Sequence, residues 1–260
     1  MPREIITRIF KRFPEGTSTH IPMMFAYRAG TRPSESFAFY WEDIDFKNAK
    51  ITINRQVQWD ECKKVWCFSN PKYDSFRTIE IDDEFVSLLA REKIRQERAR
   101  IYYAEHFINL YENENMEVNS LGEGLEIHPV CIRENGEFIS PRNMQHTASI
   151  IHHEMVFPTF DMHSFRKTHG TMLAEKDVPP KYLQHRLGHK NIRVTLQYYI
   201  EKTDGMVKQG VAILSNLFKP YACGLTEDMY FDVDVQDVLS YNFFDIDVGS
   251  LTEPAYFDVF

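Results

Sequence analysis

Apolar and polar positions along this chain fall into blocks of helical and strand periodicity. Residues 3 to 12 and 18 to 29 read as helices, and Pro33 at a first helical position starts a short helix through about Tyr40. Ile51 to Trp59, Val65 to Phe68 and Arg77 to Ile81 alternate or are β-branched, which predicts a three-stranded antiparallel sheet. From Asp83 to about Ile108 the pattern is a charged amphipathic helix with Phe85, Leu88, Leu89 and Ile94 on one side. Residues 111 to 126 are polar and contain glycine, which predicts a loop. Val130 to Ile132 and Phe138-Ile139 bracket Asn135-Gly136, a hairpin signal. Ser140-Pro141 then caps a helix to about Met155.

The chemistry concentrates between Asp161 and Ile200. His163 and Arg166 stand three apart on a helix expected to run to about Ala174, so they share a face. Pro179 and Pro180 open the next helix and Gly188 is its left-handed stop, which puts His189 on a sharp corner. Asn191 caps a short helix in which Ile192, Thr195, Leu196 and Tyr199 share a face. One arginine, two histidines and a tyrosine are thus spaced to converge. A tyrosine on an apolar helical face also reads as core, and spacing alone leaves both readings open.

The order His163-x-x-Arg166, Leu187-Gly188-His189, Thr195-x-x-x-Tyr199 closely resembles the catalytic segment of the tyrosine recombinases, or phage-type integrases. The likeness extends backwards. Gly30-Thr31-Arg32-Pro33-Ser34-Glu35 and Trp41-Glu42-Asp43-Ile44-Asp45 are similar to the segment carrying that family's first catalytic arginine. Ile51 to Gln56 and Pro71-Lys72 through Arg77-Thr78-Ile79 are similar to its small sheet and lysine-bearing hairpin. The wording is nearest to the integrases of conjugative transposons, and the likeness covers about 190 of the 260 residues.

The resemblance implies an α+β, mainly α-helical fold with a small three-stranded antiparallel sheet, and a tyrosine recombinase catalytic domain over residues 1 to 220. It implies Arg32, Lys72, His163, Arg166, His189 and Tyr199 as catalytic residues and Glu35 in support, with no metal and no cofactor. Its expected partner is double-stranded DNA, on which four copies assemble as a homo-tetramer. Tyr199 rather than Tyr198 matches the nucleophile, four residues after Thr195 and ten after His189; Tyr198 then reads as packing. Arg32 lies at the start of the Pro33 helix, where backbone N–H groups also point at an anion. Spacing alone equally allows a surface pair between Arg32 and Glu35, and a solvated loop lysine at position 72.

Composition adds a tail and a compartment. No apolar run approaches the roughly 18 residues of a membrane helix, and the first residues lack a signal-type apolar segment, so a cytoplasmic protein of a bacterium or mobile element is expected. All four cysteines read as reduced thiols. His152-His153-Glu154 lacks metalloprotease spacing, and its histidines read as structural or DNA-facing. The net charge of −8 is uneven: residues 221 to 260 hold nine acidic and no basic side chains, leaving 30 basic and 29 acidic before them. That balance permits DNA binding. In the tail, Phe231-Asp232-Val233, Phe244-Asp245-Ile246 and Phe257-Asp258-Val259 recur every thirteen residues, a pattern that reads either as a foreign or frame-shifted extension or as short strands whose carboxylates would compete with DNA phosphates. Integrases normally carry an N-terminal helical clamp before the catalytic domain, so the likeness starting near residue 22 suggests a truncated, split or relict enzyme. Three classes follow: an active DNA-breaking and rejoining enzyme, recombinase before type IB topoisomerase; an integrase remnant inactive alone; and a non-enzymatic DNA-binding or inhibitory protein that keeps the fold.

Overall fold

The structure, a computed structural model, describes residues 1–200 and 204–217. The thirteen-residue repeat and Cys223 lie outside them. The chain divides into two units, Met1–Val207 and Lys208–Phe260. The first begins with α1 (Arg3–Arg12), which buries Ile6 and Ile9. Next comes α2 (His20–Met24), which widens into a π-helical turn over Phe25–Ala29 and stops at Gly30, left-handed at φ 69°. Glycine is suited to that stop because a side chain pays for positive φ with a steric clash.

The following helix, α3 (Pro33–Ser36), is shorter than the expected run to Tyr40. At Phe37 the helix ends, and Phe37, Ala38 and Phe39 enter the core while Tyr40 pairs as an isolated bridge with Pro129. The expected single sheet is two. β1 (Ile44–Asp45), β2 (Lys50–Ile53) and β5 (Arg77–Glu80) form one antiparallel sheet; β3 (Gln56–Asp60) and β4 (Val65–Ser69) form a separate hairpin. The strand expected from Ile51 to Trp59 breaks at Asn54-Arg55, because both side chains turn to Asp43: Asn54 Nδ2 at 2.9 Å and Arg55 Nη1 at 2.5 Å.

Helix α4 (Asp83–Tyr103) follows, with Asp82 accepting from the Phe85 amide as its N-cap. Phe85, Leu88 and Leu89 are buried as expected, but Ile94 is 54% exposed. Glu92 and Gln96 face inward instead, because Gln96 bonds both the Trp41 indole and the Val130 carbonyl, and Arg95 pairs with Glu92. The stretch read as a loop carries a third small sheet of β6 (Leu110–Glu112), β7 (Val118–Asn119) and β8 (Leu125–Ile127). The Asn135-Gly136 turn holds, closed by the Gly136 amide on the Arg133 carbonyl beside a single Ile132–Phe138 bridge.

Helix α5 (Asn143–Glu154) starts later than Ser140, whose amide is instead bonded by Asn143 Oδ1. Then come α6 (His163–Ala174), α7 (Pro180–Leu187), α8 (Ile192–Ile200) and α9 (Asp204–Leu217). Of the face expected on α8, Thr195 is buried and Leu196 is 37% exposed. The main core joins Ile9, Met23, Phe25, Phe37, Ile51, Ile79, Phe85 and Phe165; a smaller cluster joins Ala174, Leu183 and Leu187. His152 bonds the Phe160 carbonyl and His153 the Ser149 carbonyl, both local structural roles. Cys62, Cys67 and Cys131 are free thiols. Among the described residues no helix is long and apolar enough to cross a membrane.

Candidate active site

The site is built where the π-helical turn meets the corner after α7. A π turn leaves carbonyls without their ordinary partner four residues on. Here three side chains from α6 and α7 reach carbonyls in that stretch. His169 Nδ1 lies 2.9 Å from the Tyr27 carbonyl, Arg186 Nη2 3.1 Å from that of Arg28, and Arg166 Nη1 2.6 Å from that of Gly30. The other fork nitrogen of Arg166 bonds the Leu187 carbonyl at 2.6 Å. Arg166 therefore bridges the end of the π turn to the end of α7, and it is 1% exposed. Gly30 leaves the needed space: a Cβ there would sit 2.6 Å from the His169 ring and 2.9 Å from Leu187.

Gly188 ends α7 in the left-handed conformation, as its position suggested. Its carbonyl accepts from Arg32 Nη2 at 2.5 Å. Arg32 also bonds Glu35 Oε1 at 2.6 Å and the Ser75 hydroxyl at 2.8 Å through Nη1, while its amide bonds Glu35 Oε2. Glu35 is fully buried. Burial raises its carboxyl, but hydrogen bonding and charge from Arg77, then charge from Arg32, outweigh that and hold it at about 2. Arg32 and Glu35 are thus paired as the simpler reading allowed, but inside the protein rather than on its surface.

His189 follows at the corner, with Nδ1 2.9 Å from the buried Thr195 hydroxyl. Burial, then the charges of Arg166, Arg32 and Arg77, push its ring down to about 4. Burial and Arg166 likewise lower His163, against a raising pull from Asp161. Both imidazoles are neutral at pH 7. Arg166 is itself lowered by burial, partly offset by Glu35, to about 9 and remains protonated. Arg32, Arg166, His163, His189 and Glu35 are therefore brought together.

Two candidates stand differently. Lys72 lies on an exposed turn, its ammonium 5.2 Å from the Tyr73 ring centroid, and joins the site through its backbone: the Lys72 carbonyl accepts from Ser75, which also bonds Arg32. Tyr199 donates its hydroxyl to the Val178 carbonyl; burial and then the charge of Asp177 raise its phenol. Tyr198 is the tyrosine beside His189, its ring parallel at 6.2 Å and 11°, and it packs against Gly170.

Sequence reasoning missed three members. Arg77 forks onto both Glu35 oxygens at 3.1 and 2.8 Å and bonds the Arg186 carbonyl. The signal was its register, since Arg77 shares the inward face of β5 with Ile79. His169 and Arg186 form the other pair, Arg186 Nε donating to His169 Nε2 at 2.9 Å; His169 stands one helical turn after Arg166 on the same side.

Two guanidinium groups, Arg32 and Arg77, thus bond one buried carboxylate, and a third, Arg166, is near enough to feel its charge, beside two neutral imidazoles: a surplus of positive charge suited to an oxyanion or phosphate. The chain matches the profile of the Phage integrase family over residues 3–206. It is 25% identical over 208 residues to a tyrosine recombinase XerC-like protein of Caldanaerobacter subterraneus subsp. tengcongensis, covering 75% of this chain and 48% of that protein. It is 25% identical over 190 residues to transposase A from transposon Tn554 of Staphylococcus aureus, covering 72% of this chain and 44% of that one. The chain spans about half the length of these curated relatives. Its fold is similar to that of the Tn1549 transposon integrase in complex with transposon right end DNA, with TM-score 0.60, 19% identity, and coverage of 83% of this chain and 65% of that one. The XerA recombinase is also similar, at TM-score 0.51 and 13% identity over 85% of this chain and 63% of that one. With most of its length matched by one family and its fold shared with integrases, this chain belongs to the phage integrase family.

Proposed function

We propose that this chain is the catalytic part of a site-specific DNA recombinase, which breaks and rejoins double-stranded DNA through a 3′-phosphotyrosine. The observation that carries the reading is the pairing of buried Glu35 with Arg32 and Arg77, with buried Arg166 near enough to feel its charge. One carboxylate cannot neutralise three guanidinium ions, so the site holds positive charge that a phosphodiester can complete. Each guanidinium has five N–H groups, and Arg166 uses two of its own on Gly30 and Leu187. The remaining donors of Arg32 and Arg166 serve nonbridging oxygens as negative charge builds on phosphorus.

The imidazoles complete the set. If the Thr195 hydroxyl donates to His189 Nδ1, the hydrogen of the neutral ring sits on Nε2 and is free to donate to the same oxygens. His163 offers a second neutral ring for moving the Tyr199 proton. Tyr199 oxygen attacks phosphorus as the bond to the 5′ oxygen breaks, and Lys72 protonates that leaving oxygen. The phosphotyrosine bond keeps the phosphodiester's energy, so the 5′ hydroxyl of another strand reverses the attack without ATP. Charge neutralisation by arginine needs no metal or cofactor. The reading places four copies together on paired DNA in the cytoplasm.

The test is covalent capture. The chain is incubated with nicked duplex DNA selected from a random-sequence pool by rounds of binding to the chain, denatured in detergent and separated by size. Wild type gives a protein–DNA adduct and Tyr199→Phe gives none. A folded wild-type chain that binds DNA without any adduct overturns the enzymatic reading and leaves a remnant that keeps the fold.

A further inference from the structure

We infer that Arg77 is a positioning residue for the proposed site, which acts by keeping Glu35 ionised and seated so that Glu35 and the Gly188 corner together aim Arg32. Arg77 is 5% exposed and lies at the start of β5. Its fork closes on both oxygens of Glu35, its Nε bonds the Arg186 carbonyl at 3.0 Å, and Nη1 also reaches the Ser75 carbonyl at 2.9 Å. The same guanidinium fills the space beside the corner, where a Cβ on Gly188 would lie 2.8 Å from Nη1 and 2.9 Å from Cζ. One side chain therefore fixes the acceptors of Arg32: Glu35 by an ion pair, Ser75 through its backbone, and Gly188 by contact.

The electrostatics explain why an arginine stands there. A carboxyl as buried as Glu35 would take up a proton if left alone, since burial disfavours its charged form. Arg32 at the cap of its own helix and Arg77 from β5 bond it, and Arg166 from α6 is near enough to feel its charge. Of these, Arg77 acts on it most strongly, by hydrogen bonds first and charge second. A protonated Glu35 can still accept from one side of Arg32, but it cannot accept from the Arg32 amide, the Arg32 fork and a second cation at once. Arg32 then loses its fixed direction. Lysine would supply the charge at position 77 without the fork, and so hold one oxygen rather than two. The inference rests on the proposed function only for what Arg32 does; the seating of Glu35 is independent of it.

The experiment has one arm for each level. First, the Glu35 carboxyl is followed by carbon NMR against pH in the full chain. In wild type it stays ionised through the mildly acidic range. In Arg77→Gln burial prevails and its acid dissociation constant falls by on the order of ten-thousandfold, enough to bring its titration into the range of the pH 6 arm, since both a hydrogen-bonding partner and a charge are gone. Second, adduct formation on nicked duplex DNA is compared between pH 8 and pH 6. Arg77→Gln loses rate on going to pH 6 beyond the wild-type change, and Arg77→Gln combined with Glu35→Gln is no slower than Glu35→Gln alone. An unmoved Glu35 titration, or penalties that multiply in the double variant, overturns the proposal. If Arg77→Gln does not fold, Arg77→Lys takes its place, with a smaller shift expected in the same direction and no shift overturning it. Absence of an adduct from wild type counts against the recombinase reading and leaves the NMR arm to decide the role of Arg77.

Discussion

Tyr199 donates its hydroxyl to the backbone carbonyl of Val178, in the connection between α6 and α7. The tyrosine before it, Tyr198, lies parallel to His189 instead. A phenol bonded to a carbonyl and raised by burial is a poor nucleophile, so in the proposed reaction Tyr199 must leave Val178 and turn toward the arginines. Tyr199→Phe should keep folding and DNA binding and lose the adduct, whereas Tyr198→Phe should keep it. Loss of the adduct only in Tyr198→Phe would transfer the nucleophile to the residue stacked on His189.

Lys72 should behave as a proton donor rather than an anchor. Its ammonium stands on an exposed turn that Ser75 ties to Arg32. On ordinary DNA, Lys72→Ala should be slow. On DNA whose bridging 5′ oxygen is replaced by sulfur, a leaving group that needs little protonation, it should approach wild-type rate. Equal slowing on both substrates would place Lys72 in binding.

Arg166→Lys should be costly twice over. The fork spans the Gly30 and Leu187 carbonyls, and one ammonium cannot reproduce it. Leaving a buried acceptor unpaired costs about 1–3 kcal/mol, visible as a lower midpoint of urea unfolding. Removing a transition-state donor costs on the order of a hundredfold in rate, measured by adduct formation under conditions where both proteins are folded. A fully active Arg166→Lys would contradict the assignment.

His169 should make the fold sensitive to mild acid. Burial, then the charge of Arg186, lowers its ring from 6.5 to about 3. The folded value is the lower one, so the neutral ring stabilises the fold fully above 6.5, and that contribution drains away as pH falls toward 3. Between pH 7 and pH 5 the loss is about 2 kcal/mol. In urea titrations at these two pH values, His169→Gln should be less stable at pH 7 but lose less on acidification. An unchanged pH dependence would assign the acid sensitivity to other groups.

Much of the site was legible in the sequence because its residues are set by local rules. Helical spacing placed His163 with Arg166, proline and glycine bounded α7, and the left-handed Gly188 put His189 on its corner. Those features depend on a few neighbouring dihedrals, and so does the N-terminal position of Arg32 before Pro33. Tertiary structure decided the rest through partners distant in the chain. Asn54 and Arg55 carry a strand-like pattern, yet Asp43 draws them out of the ladder and divides one expected sheet into two. Gln96 is drawn inward by Trp41 and Val130 while Ile94, on a helix of the same amphipathic pattern, stays in solvent. Arg77 is 42 residues from Glu35, and Arg186 is 158 residues from the Arg28 carbonyl it caps. Periodicity reports which way a side chain faces, but a buried arginine needs both a carboxylate and a set of carbonyls, and only the folded chain brings those acceptors within 3 Å or so of its fork.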